Sequence, residues 1–217
     1  MITFSGVSKS YQARTGRQTI LRDVSFSLQR GDAIGICGHN GAGKSTLLRL
    51  VSGVEQPSSG TIVREMTVSW PLGYASAFQS SLTGADNIRF IARIYGRPIA
   101  ETLAFVDDFA ELGSYLGMPI RTYSTGMMAR LAFAVSLAVD FDCYLVDEIT
   151  AAGDARFRLR CHDALIERRK TGTLVMVSHD PHTLREYCIG GAVVRDNRLI
   201  VCENIEEAIE QHFSVAA

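Results

Sequence analysis

The chain has 217 residues, of which 22 are Lys or Arg and 23 Asp or Glu, giving a formal net charge of −1 with 47% apolar and 21% charged residues. Such a length fits one α/β domain, or one domain carrying a small inserted subdomain, and the apolar fraction is ample for its core. The charge balance leaves no electrostatic footprint for nucleic acid, no window is long and apolar enough to span a bilayer, and Met1-Ile2-Thr3-Phe4-Ser5-Gly6 lacks the basic stretch and apolar core of a signal peptide. A cytosolic setting is therefore expected. The cysteines agree: Cys37, Cys143, Cys161, Cys188 and Cys202 are odd in number and widely spaced, without a CxxC pair. They read as reduced thiols, with Cys37 and Cys143 as small apolar strand residues. The basic run Arg168-Arg169-Lys170 reads as a solvated helix end that answers the helix dipole.

In chain order, Ile2-Thr3-Phe4 and Val24-Ser25-Phe26-Ser27-Leu28 alternate at strand period, with a polar loop predicted from Gln12 to Gln18. Ala33-Ile34-Gly35-Ile36-Cys37 reads as a short buried strand. Thr46 to Val51 reads as an apolar-faced helix that ends near Ser52-Gly53. Pro57-Ser58-Ser59-Gly60 is a turn into the strand Thr61-Ile62-Val63. Asp86 to Tyr95 and Glu101 to Leu112 have helical spacing, with Gly113 to Met118 as a short linker, and a further helical run spans Met128 to Val139. Strands then follow at Phe141 to Val146, Leu174 to Val177 and Ala192-Val193-Val194. They alternate with helices near Phe157–Arg168 and His182–Tyr187, and Ile205 to His212 is a last helix. The alternation predicts a largely parallel sheet with crossover helices. The whole chain, 1–217, reads as one domain: a nucleotide-binding core at about 1–79 and 136–217, and an inserted helical subdomain at about 80–135.

The core reading rests on Gly38-His39-Asn40-Gly41-Ala42-Gly43-Lys44-Ser45, which fits the phosphate-loop pattern GxxxxGK[ST] at every fixed position, between a strand and a helix. Glycines let backbone N–H groups curl around phosphate oxygens, and the helix N-terminus adds favourable partial charge. Lys44 reaches the β- and γ-phosphates and the Ser45 hydroxyl ligates Mg²⁺ in this pattern. The strand from Phe141 ends in Asp147-Glu148, an Asp suited to control of Mg²⁺ and a Glu suited to polarise the attacking water. His179 follows another apolar strand, so it falls on the same carboxyl edge, where an imidazole can hydrogen-bond a γ-phosphate. Ser124-Thr125-Gly126 opens a helix, which is either an ordinary cap or an anion site. Gln79 is read either as a group that reaches Mg²⁺ or water, or as plain surface.

With these motifs in this order, the chain resembles an ATP-binding-cassette ATPase subunit along nearly its whole length. Gly38–Ser45 looks like the Walker A motif, Phe78-Gln79 the Q-loop, and Tyr123-Ser124-Thr125-Gly126-Met127 the signature. Val146-Asp147-Glu148 looks like Walker B, Ala152-Gly153-Asp154 the D-loop, and His179 the switch histidine. Tyr11, in Val7-Ser8-Lys9-Ser10-Tyr11, matches the aromatic that stacks on adenine. Thr125 stands where the signature usually has Gly, Met127 where it has Gln, and Ile149-Thr150 follows Glu148 without the common Pro. Those departures look like the polysaccharide-exporter branch, as do Arg130–Phe133, Gly153-Asp154-Ala155-Arg156-Phe157, Leu82–Ile88 and Ile94-Tyr95-Gly96. Within that branch the chain is similar to capsular polysaccharide export ATPases. It ends soon after the cassette, so no C-terminal carbohydrate-binding domain is expected.

The resemblance implies a P-loop NTPase fold with an N-terminal antiparallel β-subdomain. It implies nucleotide contacts from Tyr11, Gly38, His39, Asn40, Gly41, Ala42, Gly43, Lys44, Ser45 and Thr46, with Glu148 and His179 catalytic. It also implies Mg²⁺ on Ser45 and Gln79, with Asp147 outside through water. Two copies close head to tail over ATP, with Ser124, Thr125, Gly126 and Met127 of one facing the nucleotide of the other and Asp154 in the D-loop. The dimer drives a membrane permease on the cytoplasmic face of the inner membrane, with envelope-spanning export proteins beyond, and exports a lipid-linked capsular polysaccharide. The competing readings are an O-antigen or teichoic acid exporter, a soluble ABC ATPase acting on nucleic acid or the ribosome, and a module that holds ATP without turnover. The soluble ATPases usually carry two cassettes or a long coiled-coil insertion, and this chain has neither. Intact Lys44, Glu148 and His179 argue against the silent module.

Overall fold

The computed structural model of the chain describes residues 1–13, 16–72, 78–147 and 154–213. The chain divides into two compact units: Met1–Pro71 with Asp142–Ile149 and Ile166–Ala217, and Leu72–Phe141 with Thr150–Leu165.

The first unit holds two sheets. Strands β1 (Ile2–Ala13), β2 (Gly16–Leu28) and β4 (Ser59–Arg64) form an antiparallel one in the order β2-β1-β4. The register places Phe4 opposite Phe26 on one side and Ile62 on the other, and the two phenyl rings lie 4.5 Å apart. The second sheet is built from β3 (Ala33–Cys37), β5 (Val68–Pro71), β6 (Cys143–Asp147), β7 (Thr173–Val177), β8 (Gly190–Arg195) and β9 (Arg198–Cys202), in the order β5-β6-β7-β3-β8-β9. Its pairings are parallel up to β8, and only β8 with β9 is antiparallel. The strands β3, β6 and β7 are almost entirely buried, which is why they read as unbroken apolar runs. Ile2, Phe4 and Leu28 of the first sheet share a core with Ile36, Val175 and Val177 of the second and with Leu47 and Leu48 of α1 (Lys44–Ser52).

Two helices close this unit. Asp180 caps α6 (Pro181–Tyr187), accepting from the N–H groups of His182 and Thr183, with Pro181 at the first turn, where its missing N–H costs nothing. α7 (Ile205–Phe213) lies flat on the sheet because Gly191 of β8 has no side chain: a Cβ there would sit 2.5 Å from the Ala208 Cβ.

The second unit contains α2 (Gly84–Ile94), α3 (Ile99–Ala110), α4 (Thr125–Ala138) and the start of α5 (Ala155–Thr171). Phe109 is its centre, with the rings of Phe105, Phe133 and Phe157 at 5.8, 6.0 and 5.8 Å. The guanidinium groups of Arg130 and Arg160 lie over Phe157 and Phe109 at 4.9 and 5.0 Å, so polar heads seal the aromatic cluster at its rim.

The structure corrects several sequence expectations. The polar loop predicted from Gln12 to Gln18 is mostly hairpin: Gln12 pairs with Arg17 and Tyr11 with Gln18. Those arms are largely exposed, so no apolar alternation marks them. The helix after the phosphate loop begins at Lys44, not Thr46, because Gly43 itself ends the loop. Phe141 and Asp142 precede β6 rather than opening it. Strands β5 and β9 carried no expectation, being short edge pieces, and the Gly113–Met118 linker holds a 3-10 turn at Gly113–Gly117.

Candidate functional site

Three parallel neighbours, β3, β7 and β6, build the site. Val177, at the end of β7, lies opposite Ile36 of β3 and also opposite Asp147 of β6. One carboxyl edge of the sheet therefore receives the loop that begins at Gly38, the pair Ser178-His179, and the carboxylate of Asp147. Ligands of open α/β sheets bind at this kind of edge.

The loop shapes itself around a missing cap. The N–H of Ala42 bonds to the His39 carbonyl at 3.1 Å, and Gly43 takes φ 110° and ψ 9° at the N-cap of α1. A side chain at Gly43 would be strained at that φ, and its Cβ would stand 2.8 Å from Cγ2 of Ile20. Thr83, Ser124 and Asp180 cap α2, α4 and α6 with side-chain oxygens, whereas Gly43 supplies none to α1. The first N–H groups of α1, from Lys44, Ser45 and Thr46, thus have no side-chain acceptor, which is the arrangement that receives an anion. His39, Asn40, Gly41 and Ser45 are exposed, and Ala42 and Thr46 are buried. Lys44 is only 9% exposed, and its Nζ donates to the carbonyls of Gly38 at 2.6 Å and His39 at 3.0 Å. Two of the three ammonium donors are spent on the loop, and the third is left for a phosphate oxygen.

The Ser45 hydroxyl and the half-buried Asp147 carboxylate offer hard oxygen donors of the type Mg²⁺ takes. Among the described residues no group of three or more His, Cys, Asp and Glu would hold a metal. An ion that draws much of its shell from water and substrate phosphates fits such a sparse donor set. His179 is exposed on the loop after β7, where Ser178 Oγ accepts the N–H of Asp180 at 3.1 Å and fixes the turn into α6. Thr183 donates to Asp180 from its hydroxyl and its N–H, holding that carboxyl below its ordinary pKa.

Tyr11 sits on β1 with its hydroxyl donated to Glu55 Oε2, and the Lys9 ammonium stands 5.0 Å from its ring centroid. Glu55 also pairs with Lys9 at 3.1 Å and Arg49 at 2.7 Å. The tyrosine is thereby held as a fixed platform rather than a free rotor.

In the helical unit, Gln79 has an exposed side chain and a pinned backbone. Its N–H donates to Oδ1 of Asn87 at 2.8 Å, and the Asn87 amide donates back to the Gln79 carbonyl at 3.1 Å. Asn87, 2% exposed on α2, was missed in the sequence; its signal was an amide inside an otherwise apolar helix face. Ser124 and Thr125 are exposed and Gly126 and Met127 half-buried at the start of α4. Ser124 Oγ accepts the Met127 N–H at 3.2 Å, and a Cβ on Gly126 would meet nothing closer than 3.9 Å. Asp154 caps α5, accepting from the Phe157 N–H at 2.9 Å, and pairs with Arg130 of α4 at 2.7 Å. Arg130 therefore ties the helix that follows Ser124 to Asp154, a link no motif announced. Glu148, Ile149, Thr150, Ala152 and Gly153 lie outside the described residues. Cysteine chemistry is disfavoured: all five thiols are free and buried, and burial pushes Cys37 up to about 11 and Cys143 up to about 12.

Residues 21–151 match the family described as ABC transporter. A capsule polysaccharide export ATP-binding protein of Neisseria meningitidis is 50% identical over 215 residues, covering 99% of this chain and 100% of the relative. A polysialic acid transport ATP-binding protein of Escherichia coli is 44% identical, covering 98% and 96%. Among solved structures, an ATP-binding cassette in a dimeric post-hydrolysis state bound to ADP and Pi matches with a TM-score of 0.81 at 19% identity, covering 94% of this chain and 99% of that one. That likeness bears on the fold: an antiparallel sheet, a mixed but mainly parallel core sheet, and a set of helices.

Proposed function

The chain belongs to the ABC transporter family, and we propose that it is the ATP-hydrolysing subunit of an exporter for capsular polysaccharide. The observation that carries the hydrolytic part is the shared carboxyl edge of β3, β7 and β6, with an uncapped α1 beside Asp147 and His179. The cargo is argued from the capsule exporter of Neisseria meningitidis, to which the likeness runs nearly end to end.

In this reading, ATP phosphates take the first N–H groups of α1, and Lys44 donates to them from the ammonium that also holds the Gly38 and His39 carbonyls. Ser45 and Gln79 would hold Mg²⁺ directly, Gln79 on motif order alone, and Asp147 would hold it through water; the ion would supply neutralisation of phosphate charge. Glu148, next in sequence to Asp147, orients the attacking water and accepts its proton. His179 hydrogen-bonds the γ-phosphate. A second copy supplies Ser124, Thr125, Gly126 and Met127: the Ser124 hydroxyl keeps a proton to donate while it caps α4, and the Gly126 N–H adds to the same helix N-terminus. Asp154 lies at that shared face. No helix among the described residues is long and apolar enough to cross a membrane. Peripheral attachment to a permease at the inner membrane is therefore proposed, with envelope-spanning export proteins as further partners.

The test replaces the chromosomal copy with Glu148→Gln. Surface capsule should vanish and polymer accumulate inside, while the purified variant binds ATP and turns it over about 10²–10⁴-fold more slowly. Normal turnover would remove the catalytic assignment; slow turnover with normal capsule would remove the cargo.

A further inference from the structure

A cavity abuts the phosphate loop on the β8 side of β3. It has a volume of about 210 Å³ and is lined by Gly38, His39, Val193, Val194, Arg195, Gln211 and His212. Three elements meet there: the shoulder of the loop, the end of β8 and the last turn of α7. The close approach of α7 at Gly191 helps bring His212 to the loop.

The lining has a chemical sense. Val193, on the same face of β8 as Gly191, gives it an apolar floor, and Val194, whose side chain faces the core on the other side of the sheet, contributes its main chain beside Gly38. Arg195, half-buried at the end of β8, has no ion pair or hydrogen bond from its side chain among the described residues. His39 commits Nδ1 to the Asn40 carbonyl at 2.9 Å, which leaves Nε2 for a ligand. Gln211 donates to Glu207, so its amide is fixed on the wall. Among the described residues no carboxylate lines the cavity. The His212 imidazole is held below its ordinary pKa by burial and then by the charges of Lys44 and His39, a sign of positive surroundings. The volume exceeds the ~150 Å³ that holds a benzene and falls short of the ~300 Å³ where drug-sized pockets begin. A nucleotide is too large for it, and a monosaccharide fits.

We propose that this cavity binds a small ring compound bearing one anionic group, a carboxylate or a phosphate, beside the nucleotide site. The anion meets Arg195 at the rim, and the ring lies on the valine floor against His212. Its occupant touches the outer side of Gly38, the residue whose carbonyl accepts from Lys44, without reaching the lysine itself. The same chemistry is open to a sugar acid and to a sugar phosphate.

The full chain, saturated with ADP to fill the phosphate loop, is titrated calorimetrically with glucuronate, glucose 1-phosphate and neutral glucose. Both charged sugars should bind at least tenfold more tightly than glucose if the shared anion is what is recognised; binding of only one identifies which source the site selects. Arg195→Ala and His212→Ala should each weaken that binding about tenfold, and Arg195→Lys should recover part of it. Both positions are partly exposed, and thermal melting checks that the variants fold. Lys44→Ala should leave sugar binding within about twofold while weakening ATP. The proposal fails if no charged sugar binds, if glucose binds equally well, or if binding is lost in Lys44→Ala but kept in Arg195→Ala.

Discussion

Replacing Lys44 by Ala separates two roles assigned to one ammonium. Its Nζ makes two charge-assisted hydrogen bonds, to Gly38 and His39 carbonyls, from a side chain that is 9% exposed. In the proposed function its third donor meets phosphate oxygens. An ammonium and a phosphate charge 4 Å apart attract by about 4 kcal/mol at an effective dielectric of 20. Desolvation offsets part of that attraction, and a hydrogen bond to a charged group contributes about 1.5–3 kcal/mol net. A net loss of about 1.5–3 kcal/mol is expected, equivalent to a roughly 10- to 150-fold weaker ATP complex. The variant also leaves two loop carbonyls without their donor. Water reaches them at the exposed His39 side, so the nucleotide-free protein should lose only about 1–2 kcal/mol. Fluorescent-nucleotide titration measures the first quantity and urea denaturation without nucleotide the second. Unchanged affinity would refute the phosphate role. Unchanged stability with weakened affinity would show that the two carbonyl bonds are not held in solution.

Tyr11→Phe removes only the hydroxyl bonded to Glu55, so it should keep ATP affinity and cost about 1 kcal/mol of stability, whereas Tyr11→Ala should weaken both; equal affinity for ATP in the Ala variant would exclude the stacking role. Asp142 is held down to about 2 by the Arg30 guanidinium, then by the N–H and hydroxyl of Thr67, and its side chain is 29% exposed. A depressed carboxylate pKa contributes stability that is complete above about pH 4 and lost as pH falls through 2; after solvent screening this is about 1–2 kcal/mol, and acid titration of Asp142→Asn should lack that step. Ser124→Arg, in a slow Glu148→Gln background, should abolish the ATP-dependent dimer in sedimentation while each monomer still binds ATP; a dimer that persists would remove the shared-site mechanism.

The sequence was most legible where geometry is local. The loop Gly38–Ser45 could be read because its glycines, lysine and serine act over eight consecutive residues. The buried strands Ala33–Cys37 and Thr173–Val177 could be read because both their faces are covered and apolar residues dominate them. The hairpin arms at Gln12–Gln18 were misread because an exposed ribbon needs no apolar alternation; its stability comes from main-chain pairing such as Gln12 with Arg17. Asn87 and Arg130 were illegible for a different reason. Asn87 acts on the backbone of Gln79 eight residues away, and Arg130 on Asp154 twenty-four residues away. Pairings of that kind exist only once the helices have packed.

That division also explains which parts of the site the chain makes rigid and which it leaves to the ligand. Gly43 forgoes the side-chain cap that Thr83, Ser124 and Asp180 provide elsewhere, each contributing about 1 kcal/mol to its helix. Lys44 turns its charge onto its own loop. Both are local concessions: an uncapped helix and an ammonium turned inward. In the proposed function a triphosphate takes the free N–H groups of α1 and the remaining donor of Lys44. The register of β6, β7 and β3 fixes where the segments carrying Asp147 and His179 leave the sheet. Mutations on that edge should therefore act on turnover and mutations in the loop on affinity.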